Sequence, residues 1–265
     1  MKENLINLFK HRQLLQTLVA RELKARYRGS ILGFFWSFAN PLLLLIIYTI
    51  VFNYILAQRD PNTQPYSLFL FCGILPWTWF SSSLLQATNS IIDGGILIKK
   101  IIFPAEVLPF VSVLSNLVHF LLGLPILFFF MLYYMKGITV NFFYFLLITF
   151  IQLIFTLGLA LLLSSLSVHF RDIRDLIANF LTLWFFCTPI IYPFSFQIIE
   201  NSRYFKYILK INPMTYFMLG YQKAFFYGEP PSLKHIIIIF IGSLVVFWIG
   251  YFIFDRLRDT FVEEV

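Results

Sequence analysis

Charge is what this sequence has least of. Asp, Glu, Lys and Arg make up 12% of its 265 residues, about half the share of an ordinary soluble domain. With 59% hydrophobic residues and 34 Phe, most of its surface must face something other than water. The net charge of +7 is therefore not a nucleic-acid signature. In a membrane protein Lys and Arg gather at span ends, beside anionic headgroups. Cysteine is nearly absent. Cys72 and Cys187 lie in apolar runs without metal-ligand spacing, so they read as small packing residues, with no disulfide or metal site expected. No glycine is followed at the required spacing by Gly-Lys-Ser/Thr, which excludes P-loop ATP binding by this chain. HExxH, GxSxG and clusters of His with carboxylates are missing as well, so no catalytic residue is expected. His119 stands alone in an apolar run, where a hydrogen-bonded packing role is commoner than a ligand or proton relay. Carboxylates such as Glu106 and Asp175 sit at the ends of apolar runs, which argues against a proton-driven antiporter. The opening residues lack both an uninterrupted apolar core and a small-residue cleavage site, so no cleavable leader is expected.

What is present begins with RELKARYRGSILGFFWSFANPLLLLIIYTIVF, residues 21–52. Arg21, Lys24, Arg26 and Arg28 crowd its start, and charge then stops until residue 59. A basic segment running straight into an apolar stretch reads as a first membrane crossing with its basic side in the cytoplasm. Before it, Leu5, Leu8, Phe9, Leu15, Leu18 and Val19 recur at helical spacing among Lys2, Lys10, Arg12 and Arg21. Residues 1–28 thus form an amphipathic helix lying on the cytoplasmic interface. A plain surface anchor is the alternative reading of that segment. Residues 29–265 form the transmembrane domain.

Six apolar stretches approach or exceed the roughly 20 residues a spanning helix requires: 31–58, 66–92, 107–135, 141–168, 176–192 and 236–254. They are continuously apolar, without the alternation of membrane barrel strands. The fold class is therefore an all-α integral membrane protein of about six transmembrane helices. Counting from a cytoplasmic N-terminus puts Lys99, Lys100, Arg171, Arg174, Arg256 and Arg258 inside, against Arg59 and Lys136 in the short outside loops. That asymmetry sets the orientation, with both termini cytoplasmic. Residues 193–231 strain the rule, because Arg203, Lys206, Lys210 and Lys223 would lie outside. They read as one or two re-entrant helices before the last span, or else as a folded external loop.

Two inside segments have features of their own. Residues 89–104, NSIIDGGILIKKIIFP, break at Gly94-Gly95, resume as an apolar-basic stretch and stop at Pro104. A short helix of that kind around 93–103 suits a groove on a cytoplasmic partner; an ordinary interfacial turn is the alternative. In HFRDIRD, residues 169–175, Arg171 and Asp175 stand four apart and can pair on one helical face.

The ordered set RELKARYRGSILGFFWSFANPLL, KKIIFPAEVLP, FRDIRDL, TPIIYP, INPMTYF and the closing FDRLRDTFVEEV resembles the permease subunit of type-2 ATP-binding-cassette exporters. The branch is the one that exports lipid-linked polysaccharides: O-antigen, teichoic acid and capsule. The resemblance covers essentially the whole chain, with one departure, Asp259, in the tail. It implies a homodimer in the bacterial cytoplasmic membrane, joined to two copies of a separate ATP-binding subunit. ATP and Mg would be used by that partner, with no cofactor in this chain. The substrate would be a polysaccharide on an undecaprenyl carrier. The interface helix and the 93–103 loop would contact the ATPase, with Ile98, Lys99, Lys100 and Ile101 as the coupling residues. Spans one and five would line the path at the dimer interface.

With that placement, two further readings follow. Arg21, Lys24, Arg26 and Arg28 are positioned to grip the pyrophosphate of the carrier, Arg bidentately; ordinary positive-inside anchoring explains them equally. Phe34, Phe38, Tyr48 and Phe52 share one helical face of the first span, with Leu45 among them, and Phe180 and Trp184 repeat the spacing in the fifth. Flat aromatic faces hold sugar rings with little angular preference, which suits a sliding polymer; bulk packing is the alternative for any one of them. A drug or lipid exporter of the same family and a polyprenyl-linked glycan-processing enzyme are the rival functions. The enzyme would require convergent outside carboxylates, whereas Asp60, Glu200 and Glu229 are scattered.

Overall fold

The computed structural model describes residues 12–31, 33–51, 63–100, 103–134, 139–170, 172–194 and 202–264, without the side chains of Phe34 and Lys100. Among them there are helices and turns but no strand. The helices are α1 (Arg12–Arg26), α2 (Trp36–Thr49), α3 (Tyr66–Asp93), α4 (Gly95–Lys100), α5 (Val107–Tyr133) and α6 (Tyr144–His169). They continue as α7 (Ile173–Phe186), α8 (Arg203–Ile211), α9 (Pro213–Gln222), α10 (Leu233–Leu257) and α11 (Phe261–Glu264).

Among the described residues, four segments are long and apolar enough to cross a membrane: Tyr66–Asp93, Val107–Tyr133, Val140–His169 and Leu233–Glu264. In lipid every backbone group must find its partner within the segment, and a helix does this unaided. Polar side chains in these helices follow the same rule. Ser83, Thr88, Thr156 and Ser243 each donate back to the carbonyl four residues earlier. Helix α3 is the hub, packed by α2, α5, α6, α7 and α9. Its apolar window is 78% buried, whereas that of α10 is 22% buried. Helix α10 is thus held mainly by α6, where two glycines meet. A Cβ on Gly158 would lie 2.5 Å from the Phe247 Cα, and one on Gly250 would lie 2.0 Å from the Gly158 carbonyl oxygen.

The first and fifth stretches form shorter helices than the sequence suggests, α2 and α7, each of 14 residues. Ahead of α2 the chain turns through Gly29 and Gly33, both at positive φ (80° and 49°), a conformation glycine adopts without steric penalty. The helix therefore starts at Trp36 and not at residue 31. Residues 52–58 of that stretch lie outside the described residues. Helix α7 stops at Phe186 instead of reaching 192. Pro189 disfavours helical backbone at Thr188 and brings no N–H of its own. The segment 188–193 instead folds as turns. The carbonyls there and at the helix end are met from other elements: Asn212 Nδ2 donates to Cys187 O at 2.9 Å, Gln222 Nε2 to Pro189 O at 2.8 Å, and the Tyr66 hydroxyl to Ile191 O. Ile190 covers Gly73 of α3.

Between that turn and α10, residues 203–227 hold α8, α9 and a π turn (Lys223–Tyr227). In α8 only Leu209 is buried, and Arg203, Lys206 and Lys210 stay exposed beside Tyr204, Phe205 and Tyr207. Helix α9 is buried against α3, α6 and α10. Cys72 and Cys187 are unbridged.

Candidate functional site

Helices α1, α2, α3 and α5 enclose a cavity of about 750 Å³. Its walls are mostly apolar and aromatic, with Trp36, Phe71, Trp79 and Phe120 among them. One end is polar, and it is built from residues far apart in sequence. Arg26 Nη1 donates to Asn116 Oδ1 at 3.1 Å and Nη2 donates to Gln86 Oε1 at 2.7 Å. Asn116 Nδ2 also donates to Gln86 Oε1 at 2.7 Å, and Gln86 Nε2 passes the chain on to Glu22 Oε1 at 2.6 Å. The guanidinium is thus oriented by two neutral carboxamides. None of the ion pairs among the described residues involves Arg26. No Asp or Glu is among the described lining residues, and the Glu22 carboxylate reaches Arg26 only through Gln86.

A second polar group of residues stands beside it. Ser37 Oγ donates to the Tyr27 hydroxyl at 2.9 Å, and that hydroxyl lies 3.4 Å from His119 Nδ1. His119 Nε2 is buried and has no hydrogen-bond partner among the described residues. A guanidinium at the polar end of a cavity with no acidic residue among its described lining favours an anionic group.

The basic cluster does not converge as its sequence spacing suggests. Arg21, Lys24 and Arg28 share another face of α1 with Gln16, Thr17 and Ala20. Of the four only Arg26 turns into the cavity, because residues 24 and 26 point about 200° apart on a helical wheel, and Arg28 lies in the turn that follows α1. The aromatic set divides too. Phe38 is half-buried. Tyr48 is half-buried against Leu70, Phe71 and Ile74 of α3. Phe52 lies outside the described residues, and so does the side chain of Phe34. The exposed face of α2 is aliphatic: Leu43, Ile46, Ile47 and Ile50. Phe180 is half-exposed on α7, on a face it shares with Leu176 and Leu183. Its neighbour Trp184 turns inward, 5.4 Å from Phe80 and 6.3 Å from Trp77 between ring centroids, with its indole N–H on Asn212 Oδ1 at 2.7 Å.

The 93–103 loop folds as the short helix α4 after a break at Gly94. A Cβ at Gly94 would meet Leu108 at 2.4 Å. Ile98 packs inward, on a cluster containing Ile91, Phe254 and Phe261. Ile96, 70% exposed, and Lys99 face outward, and Ile96 was not marked by the sequence. Ile101 and the Lys100 side chain are outside the described residues, as is Arg171. The sequence reading also missed Gln86, Asn116 and Asn212. Each is a carboxamide in or next to an apolar run, and the need of such a group for a buried partner was the available signal.

The fold and cavity define an all-α membrane protein with a polar site between its helices. The ABC-2 type transporter family model matches residues 13–226, and the chain belongs to that family. Over 258 residues it is 40% identical to the O-antigen export system permease protein RfbA of Myxococcus xanthus, with 97% of each chain covered. A protein of the same name from Klebsiella pneumoniae is 34% identical over 264 residues, 99% of this chain and 98% of that one. The polysialic acid transport protein KpsM of Escherichia coli is 22% identical over 262 residues, covering 94% and 95%.

Proposed function

We propose that this chain is the permease subunit of an ATP-driven exporter that moves a lipid-linked polysaccharide, O-antigen, out of the cytoplasm. As a member of a transporter family it is a transport component, not a glycan-processing enzyme. It works as a homodimer with two copies of a separate ATP-binding subunit, which uses ATP and Mg. It resides in the bacterial inner membrane with both termini in the cytoplasm. Full-length similarity to two O-antigen export permeases supports the cargo.

The observation that carries the site is the acid-free cavity with Arg26 held by Gln86 and Asn116. A carrier pyrophosphate entering between α1 and α2 meets the Arg26 guanidinium at the polar end. The apolar walls accept the first isoprene units. Because two carboxamides already orient the fork, little side-chain entropy is lost when the anion binds.

Arg26→Lys keeps the charge but cannot donate in two planar directions at once. It is expected to lower substrate-stimulated ATPase activity about tenfold, equivalent to ~1.4 kcal/mol. Arg21→Lys, on the other face of α1, is expected to leave that activity unchanged. Purified complex titrated with the lipid-linked glycan reads both. Equal stimulation in the two variants would show that the cluster only anchors α1.

A further inference from the structure

We infer that the C-terminal segment, residues 260–264, is a positioning element that ties α4 to the cytoplasmic end of α6 and so to the start of α7. The inference rests on the exporter reading above, because it treats α4 as the contact for the ATP-binding subunit.

Phe261 is fully buried, 5.3 Å from the Phe254 ring in an edge-on contact. It belongs to a small core, separate from the main one, that collects Ile91 at the end of α3, Ala105 before α5, Leu161 and Val168 on α6, and Tyr251 and Phe254 on α10. Ile98 of α4 packs on the same core, and α11 lies against α4. One residue earlier, Thr260 Oγ1 donates to the Leu257 carbonyl at 2.7 Å and lies 3.3 Å from His169 Nε2. With its proton committed to Leu257, the hydroxyl accepts from the imidazole N–H. His169 closes α6, and α7 opens four residues later at Ile173.

Two cytoplasmic loops therefore meet at the tail. One carries α4, and the other leads into α7. Helix α4 has six residues, fewer than two turns and too short to hold an angle by its own hydrogen bonds. Its outward residues, Ile96 and Lys99, can keep a fixed direction only if Ile98 is gripped from behind, and the core closed by Phe261 supplies that grip. A push on α4 then reaches His169 and α7 through packed side chains instead of dissipating in a mobile loop.

The test uses the full-length permease co-expressed with its ATP-binding subunit. Phe261→Ala should leave co-purification and basal ATP hydrolysis per complex within about twofold, while surface polysaccharide falls about tenfold, and Phe261→Leu should restore export. Normal export per complex in Phe261→Ala overturns the inference. So does a loss of complex that matches the loss of export, because a merely structural role lowers both together. Should Phe261→Ala not accumulate, Thr260→Val decides. It removes the His169 contact at nearly constant volume, and unchanged export in it also overturns the inference. Ile96→Asp separates this inference from its premise, since it should detach the ATP-binding subunit. If Ile96→Asp assembles and exports normally, α4 is not the contact and the exporter reading of that loop fails as well. If Ile96→Asp detaches the subunit while Phe261→Ala exports normally, only the tail's role is lost.

Discussion

Gly250→Ala is expected to strip α10 from the bundle. The added Cβ would stand 2.0 Å from the Gly158 carbonyl oxygen and 2.8 Å from its carbon. The obstacle is backbone, so no rotamer change relieves it. Ordinary contact requires the two helices to part by more than an ångström. At that separation the interdigitated side chains along the seam lose most of their dispersion energy. Between membrane helices no hydrophobic force makes up the loss, since lipid tails are as apolar as the side chains. Helix α10 has little else to hold it, being only 22% buried over its apolar window. Overpacking typically costs about 1–3 kcal/mol, and this site should lie at or above the top of that range. Gly158→Ala should behave alike, its Cβ falling 2.5 Å from the Phe247 Cα. Gly242→Ala on the same helix meets nothing within 4 Å and should be neutral, or stabilising by up to ~1 kcal/mol through helix propensity. Thermal unfolding in detergent compares the three. Equal melting of Gly242→Ala and Gly250→Ala would show that the seam does not hold α10.

Asn212→Ala is expected to cost about 3–5 kcal/mol and to abolish export. One buried carboxamide makes four hydrogen bonds. It accepts from Trp184 Nε1 at 2.7 Å and from the Met214 backbone N–H at 2.9 Å. It donates to Cys187 O and Thr188 Oγ1, both at 2.9 Å. It thereby caps α9, closes the broken end of α7 and fixes the Trp184 ring. Alanine strands an indole N–H and a helix-end carbonyl away from water, and buried unpaired groups cost about 1–3 kcal/mol each. Asn212→Asp is the sharper variant. It keeps both acceptor roles but turns an anionic oxygen on the Cys187 carbonyl. Melting temperature should fall with Asp nearly as far as with Ala, whereas a capping role alone would leave Asp close to wild type. Trp184→Phe, which loses the indole N–H and part of the ring's bulk but leaves Asn212 to cap α9 and hold Cys187 O and Thr188 Oγ1, should cost less than Asn212→Ala.

Trp184 also shows how far the sequence could be read. Its spacing from Phe180 placed both on one face of α7, and their rings do lie 5.3 Å apart. Spacing could not say that Phe180 is half-exposed while Trp184 reaches across to Trp77 and Phe80. The four long spans were legible almost to the residue: 66–92 against Tyr66–Asp93, and 236–254 against Leu233–Leu257. The first and fifth were not, because their ends depend on the glycine turns at 29 and 33 and on which side chains meet the carbonyls of the 188–193 turn. The basic cluster was legible as a cluster, but its division into Arg26 on one side and Arg21, Lys24 and Arg28 on the other follows from how α1 docks on α5.

By itself the sequence determined that this chain is a membrane-spanning helical protein, roughly where each span lies, and which family its ordered motifs resemble. Hydropathy is a local and additive property, and it accumulates along a run without reference to any other part of the chain. Only the tertiary structure decided what the polar exceptions do. Arg26 and Asn116 meet across 90 residues, Thr260 and His169 across 91, and Gln222 and the Pro189 carbonyl across 33. A polar group in an apolar run must find a partner, and the sequence announces that need. Which partner it finds depends on helix packing and register, and no local pattern records those.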